Sequence, residues 1–126
     1  MHTSVIVFIG AGLGGLLRHI MNSAITGLTG AGFPYGILTI NVLGSTAMGL
    51  LAGWLAFRGE APAELRLFLA TGLLGGFTTF SAFSMDTALL IERGETGLAA
   101  IYVGTSVALS VIGLFAGLWA MRAVLS

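Results

Sequence analysis

The sequence predicts an all-α integral membrane protein, a single domain of four transmembrane helices covering residues 1–126. Hydrophobic residues make up 56% of the chain and charged residues 8%, and the mean hydropathy is +1.02, far from the balance of a soluble domain. Five arginines, no lysine and five acids cannot cover a soluble surface. We therefore expect lipid to cover most of the molecule.

Polar and turn-forming residues divide the chain into four apolar segments, at residues 4–25, 35–57, 65–91 and 98–125. A helix needs about 20 residues to cross a hydrocarbon core of about 30 Å, and every segment is long enough. The connections are short, and Pro34 and Pro62 fall in or beside them. The first segment lacks the basic start and cleavage pattern of a signal peptide, so we expect it to be retained as a helix.

The first segment contains a misleading glycine pattern and one arginine. Gly10, Gly12 and Gly15 have the G-x-G-x-x-G spacing, but the first acid is Glu60, and a dinucleotide site needs an acid about 20 residues after the glycines. We reject that interpretation. Arg18 has two interpretations, a side chain that reaches the lipid headgroups or part of a vestibule for anions.

Each segment carries two small residues four positions apart, a spacing that lets helices approach closely. The pairs are Gly10 and Gly14, Gly49 and Gly53, Gly72 and Gly76, and Gly113 and Gly117. They predict tight helix packing, which is common in membrane proteins and does not identify what is transported.

Polar side chains of the second and fourth segments must face protein or water, because lipid leaves them without partners. Asn41 of the second segment shares a helix face with Ser45, and a contact between helices is one interpretation of it. Tyr102, Ser106 and Ser110 recur every four residues and form one stripe on the fourth helix. The stripe suits a wet path, although such hydroxyls can also bond back to their own helix.

The third segment carries the strongest signal, "GGFTTFSAFSMD" from Gly75 to Asp86. Its glycines and hydroxyl residues have poor helix propensity, so we expect this helix to be broken near the membrane midplane. Carbonyls released by a break attract a cation, and the starts of half-helices attract an anion. Phe80 and Phe83 lie one turn apart after the break, either as packing or as ring edges that contact an anion.

The arginines give almost no bias of orientation. With four spans, Arg58, Arg66 and Arg122 fall on one side, and Arg93 with the nearby Arg18 falls on the other. The sequence thus allows insertion in both orientations and antiparallel pairing, while a weak bias that still fixes one orientation stays open.

Several function classes are excluded by composition. The absence of cysteine rules out disulfides and thiolate chemistry, and the net charge of zero argues against nucleic acid. No catalytic triad, metal-ligand cluster or phosphate loop stands in a workable context, so the protein is not expected to be an enzyme.

The stretch "GGFTTFSAFSMD", together with "YGILTINVLGS" and the arginine of the first segment, closely resembles the Fluc (CrcB) family of fluoride channels over nearly the whole chain. The resemblance implies a four-helix subunit that forms a dual-topology antiparallel homodimer in the cell membrane. It implies two fluoride pathways per dimer, passive fluoride export and fluoride resistance. It also implies a structural sodium ion at the dimer interface and no organic cofactor.

The resemblance also assigns residues. It places the fluoride pathway at the following positions: Phe80, Phe83, Asn41, Ser81, Tyr102, Ser106 and Ser110. Arg18 matches the vestibule arginine, and the backbone carbonyls of Gly75 and Thr78 match the sodium site. Ala82, Ile37 and Asp86 depart from residues that are common in relatives and put the details of the polar track in doubt.

Two other functions remain as alternatives. A small multidrug-type transporter of dual topology needs a carboxylate in the membrane, usually in the first helix, where this chain has Arg18 instead. An unselective structural or pore-forming protein would explain the glycines but neither the break nor the two phenylalanines.

Overall fold

The structure is a computed structural model that describes residues 2–59 and 61–126. Four spans are long and apolar enough to cross a membrane, namely His2–Thr29, Tyr35–Arg58, Ala63–Glu92 and Thr96–Leu125. Within the described residues there is no β-strand. The prediction of an all-helical protein with four membrane-spanning helices is confirmed, and each span includes the corresponding predicted segment.

The third span differs from the others because it is built from several pieces. In chain order the helices are α1 (His2–Thr29), α2 (Tyr35–Arg58), α3 (Ala63–Arg66), a π-helix (Leu67–Leu74), α4 (Gly75–Phe77), α5 (Phe80–Glu92) and α6 (Thr96–Leu125). Thr78 and Thr79 have extended backbone and separate α4 from α5. The π-helix is long for its kind, since most are single turns within α-helices.

Glycines with a left-handed backbone follow α1, α2 and α5, and the ends of α2 and α5 show their role. Gly59 follows α2 with φ of 68°, and its N–H donates to Leu55 O at 2.7 Å. Gly94 follows α5 with φ of 78° and donates to Ile91 O at 3.0 Å. A residue with a side chain would be strained in this conformation, so glycine lets both helices end in tight turns.

Helix α1 packs directly on the third span through two of the predicted glycine pairs. A Cβ built on Gly10 would lie 2.8 Å from Phe68 O, and one built on Gly76 would lie 2.8 Å from Ala11 Cα. A Cβ on Gly14 would lie 2.7 Å from Phe77 N, and one on Gly72 would lie 3.1 Å from Gly10 Cα. Only glycine permits such contact between the two backbones.

The other two pairs join α2 to α6. A Cβ on Gly117 would lie 2.8 Å from Leu50 N, and one on Gly53 would lie 2.8 Å from Met121 Cβ. The prediction of tight packing at the small residues is confirmed for all four pairs. Large apolar side chains face outward instead, as with Phe8, which is 79% exposed, and lipid would cover them.

Candidate functional site

Asn41 of α2 binds the interrupted part of the third span. Its Nδ2 donates to Thr79 O at 3.0 Å, and its Oδ1 accepts from Thr79 N–H at 2.9 Å. Extended backbone inside a membrane needs partners for both its N–H and its carbonyl, and a primary amide supplies a donor and an acceptor together. One side chain therefore pairs both backbone groups of Thr79.

Gly44 makes room for this contact one turn further along α2. A Cβ on Gly44 would collide with Thr78 Cγ2 and would lie 3.3 Å from Phe77 Cδ2. The N-x-x-G spacing thus places the amide and the gap on the same face of α2. This explains the spacing physically, because the backbone of α2 can lie close to Thr78 and Phe77 only at a residue without a side chain.

Two backbone carbonyls lose their helical partners at the interruption. In a continuous helix Gly75 O would accept from Thr79 N–H, and Thr78 O would accept from Ala82 N–H. Here Thr79 N–H donates to Asn41 Oδ1, and Ala82 N–H donates to the Thr79 hydroxyl at 3.1 Å, where Thr79 caps α5. The carbonyls concerned belong to Gly75 and Thr78, the two residues that the family resemblance assigns to a sodium site.

Arg18 contacts the same region from α1. Its Nε donates to Gly76 O at 3.3 Å, another carbonyl at the end of α4. A cation near the C-terminal end of a helix is favourable because it offsets the helix dipole and an unpaired carbonyl. Neither interpretation of Arg18 from the sequence includes this contact, and Arg18 does not line the pocket described next.

A cavity of about 400 Å³ lies beside the interruption, between α2, α5 and α6. Five of the predicted pathway residues line it, namely Asn41, Phe80, Phe83, Ser106 and Ser110. The remaining lining residues are Gly44, Ser45, Met48, Thr78, Thr79, Val107, Val111 and Leu114. None of the described residues that line this pocket is charged. The polar groups of the pocket wall are therefore hydroxyls, one side-chain amide and backbone groups.

The two phenylalanines form a pair at the pocket. Their ring centroids lie 5.6 Å apart at 46°, a distance typical of interacting aromatic rings. Phe80 is 78% exposed, whereas Phe83 is partly buried and lies 5.1 Å from the ring of Tyr102. Apart from this contact with Phe83, most of the Phe80 ring is uncovered in the single chain.

Ser106, a residue of the pocket wall, carries an unsatisfied hydroxyl. The residue is 5% exposed, and across residues 2–59 and 61–126 its Oγ is the one buried side-chain polar atom without a hydrogen-bond partner. Such a group costs about 1–3 kcal/mol when it stays unpaired. Ser106 lines the pocket, so this unpaired donor lies at the pocket wall.

Tyr102 and Ser81 lie near the pocket but do not line it. Tyr102 is fully buried, and its hydroxyl donates to Asp86 Oδ2 at 3.1 Å. The Ser81 and Thr79 hydroxyls lie 3.3 Å apart on an exposed side of the chain. Of the three residues of the predicted stripe on α6, Ser106 and Ser110 therefore line the pocket. Tyr102 contacts the Phe83 ring instead.

Sequence reasoning missed two contributors to this site. Thr79 stands within the quoted stretch, but neither its pairing with Asn41 nor its cap on α5 was predicted. The aromatic surroundings of Tyr102 were missed because Phe33 belongs to a loop. A signal existed only for Thr79, since a hydroxyl residue preceding a helix is a common cap.

Comparison with known proteins connects this geometry to a family. The model of the family described as "CrcB-like protein, Camphor Resistance (CrcB)" matches residues 5–118. The chain is 56% identical over 122 residues to the "Fluoride-specific ion channel FluC" of Rhodopseudomonas palustris strain BisB5, covering 97% of this chain and 98% of that protein. It is 58% identical over 118 residues to "Fluoride-specific ion channel FluC 2" of Nitrobacter hamburgensis, covering 94% and 95%.

Proposed function

The chain belongs to the CrcB-like family, and from this premise we propose that it is a fluoride-selective ion channel and not an enzyme. The observation that carries the proposal is the pocket, which combines the Phe80 and Phe83 rings with the unpaired Ser106 hydroxyl and holds no charged lining residue. The relatives named above are fluoride-specific ion channels.

The chemistry of this pocket suits a small, strongly hydrated anion. Fluoride gives up water only where donors replace it at close range, and hydroxyls, amide N–H groups and positive ring edges can share this task. Asn41 Nδ2 uses one of its two N–H groups on Thr79, which leaves the second for the pocket. Because no lysine or arginine lines the pocket, the ion is not bound too tightly to leave.

We propose that two copies pair antiparallel across the membrane and form two pathways. The 78% exposed ring of Phe80 supports this, because a second subunit would complete the pocket wall at that ring. The nearly equal distribution of arginines on the two sides of the membrane also supports insertion in both orientations. The pairing would resemble the inverted repeats that larger transporters contain within one chain.

We also propose a structural sodium ion held by the carbonyls of Gly75 and Thr78. The fit rests on the donors that those carbonyls lose to Asn41 and Thr79. Unwound carbonyls are common ligands of sodium in membrane proteins, and a second antiparallel copy would double the oxygen set. The ion would hold the two subunits together, and no organic cofactor is proposed.

Transport would be passive and would lead out of the cell. An interior-negative potential drives an anion outward by about 2.3 kcal/mol per 100 mV for each charge. We propose residence in the cell membrane, where outward transport would give resistance to fluoride.

The proposal is tested by efflux from liposomes that carry the purified protein, measured with a fluoride electrode and repeated with chloride. Fast electrogenic release of fluoride without release of chloride supports the channel. Equal release of both anions would favour the unselective pore. No fluoride release, with proton-coupled movement of an organic cation, would favour the multidrug-type transporter.

A further inference from the structure

We infer that Phe33, in the loop between α1 and α2, is a positioning residue for the Phe80 and Phe83 rings, and that Arg93 holds this loop in place. The inference rests on the proposed function, since it assigns the two rings to the ion pathway. Neither Phe33 nor Arg93 lines the pocket, so both would act through other residues.

The rings form a continuous series from the loop to the pocket. Phe33 meets Tyr102 edge to face, with centroids 5.6 Å apart and an interplanar angle of 88°. Tyr102 lies 5.1 Å from Phe83, and Phe83 lies 5.6 Å from Phe80. All three centroid distances lie within the range of interacting aromatic pairs, and the first contact has the favoured edge-to-face geometry. A displacement of the first ring would therefore be passed along the series to the last.

Tyr102 is the rigid part of this series. It is fully buried with Leu90 and Ala99, and Phe33 and Phe83 pack against that cluster. Its hydroxyl is fixed by the bond to Asp86 Oδ2. Loss of the Phe33 ring would leave one edge of Tyr102 without contacts, and a buried ring shifts toward such a gap.

Arg93 determines where Phe33 lies. Its two terminal nitrogens donate to consecutive carbonyls of the loop, Nη2 to Gly32 O at 3.1 Å and Nη1 to Ala31 O at 3.5 Å. Nη2 also lies 3.3 Å from Glu95 Oε2. The guanidinium thus ties the turn after α5 to the residues just before Phe33, which a lysine with one nitrogen cannot reproduce.

The experiment compares fluoride efflux from liposomes for wild type, Phe33→Leu, Phe33→Tyr and Arg93→Ala, normalised to the amount of assembled protein. We expect Phe33→Leu to slow efflux about tenfold, the factor set by the upper energy of one aromatic pair. Phe33→Tyr keeps the aromatic ring, so its efflux rate should equal that of the wild type. Phe57→Leu is the matched control, because Phe57 is exposed at the end of α2 and lies outside the series.

The double variant Phe33→Leu with Arg93→Ala separates a shared role from two independent ones. If Arg93 acts through Phe33, the double variant is no slower than Phe33→Leu alone, whereas additive losses would overturn that link. An unchanged rate in Phe33→Leu, or a loss that Phe33→Tyr does not restore, would overturn the positioning role. Absence of fluoride efflux in the wild type would overturn the proposed function itself, and this inference with it.

Discussion

At the residue scale, Asn41 solves a problem that the extended backbone of Thr79 creates inside a membrane. Both backbone polar groups of that residue are paired by one amide, which neither a carboxylate nor a hydroxyl can do in the same geometry. The Asn41 side chain therefore stabilises the third span. Its second Nδ2 N–H is the group that it can donate to an ion.

Replacement of Asn41 by Leu should therefore destabilise the protein as well as slow fluoride transport. Two backbone groups would lose their partners, at about 1–3 kcal/mol each. Thermal unfolding in detergent should show a lower midpoint for Asn41→Leu, while Ser45→Ala, on the same helix and at the same pocket, should unfold like wild type. An unchanged midpoint in Asn41→Leu would show that the amide does not support the break.

Substitutions of Phe80 and Phe83 should differ from Asn41→Leu, because we expect them to slow transport with little effect on folding. Phe80→Ile and Phe83→Ile keep apolar bulk but remove the ring edges, so we expect fluoride efflux to fall about tenfold or more. Assembly, followed by size-exclusion chromatography, should be unchanged. Phe8→Ile on the exposed face of α1 is the control, and normal efflux in both pocket variants would remove the rings from the mechanism.

At the element scale, the glycine pairs were predictable and the π-helix was not. The small-residue spacing is visible in each segment, and the structure places the pairs of α1 and the third span, and those of α2 and α6, against one another. Residues Leu67–Leu74 read "LFLATGLL", an apolar run whose composition does not distinguish an α-helix from a π-helix. Helix type there depends on contacts with α1 that sequence alone does not reveal.

Substitutions of two glycines in α1 test its interface with the third span. Gly14→Ala should prevent close packing, because a Cβ would meet Leu73 O and would lie 2.7 Å from Phe77 N. A loss of about 2–3 kcal/mol or of soluble, monodisperse protein is expected, as for overpacked cores. Gly12→Ala meets nothing within 4 Å and should be neutral or slightly stabilising. Equal stability of the two variants would contradict the interface.

At the scale of the whole molecule, much of the architecture was predictable, because four long apolar segments admit few alternatives in a membrane. The site was predictable where it depends on residue type, as for Asn41 and the phenylalanines. It was not predictable where loops matter, since the position of Phe33 depends on a turn held by Arg93. Within one subunit, α1 pairs with the third span and α2 pairs with α6.

A substitution at Gly75 tests contacts between two copies of the chain separately from contacts within one copy. A Cβ built there meets only Ala70 O, at 3.5 Å, so the single chain has room for a Cβ at this position. If the proposed sodium site is shared between two copies, Gly75→Val should nevertheless weaken the dimer about tenfold or more. Cross-linking in sodium and in a sodium-free buffer measures this, and a normal dimer with normal efflux would refute the role of Gly75.

The exposed rim of the pocket has a consequence for the way activity depends on dilution. Phe80, Val107 and Val111 border the pocket and are all exposed in the single chain, so a solitary subunit would have acyl chains beside its conduction path. By mass action, pairs dissociate as the ratio of protein to lipid falls. The rate per subunit should then decline upon dilution into lipid, whereas a pore complete in one chain would keep a constant specific activity.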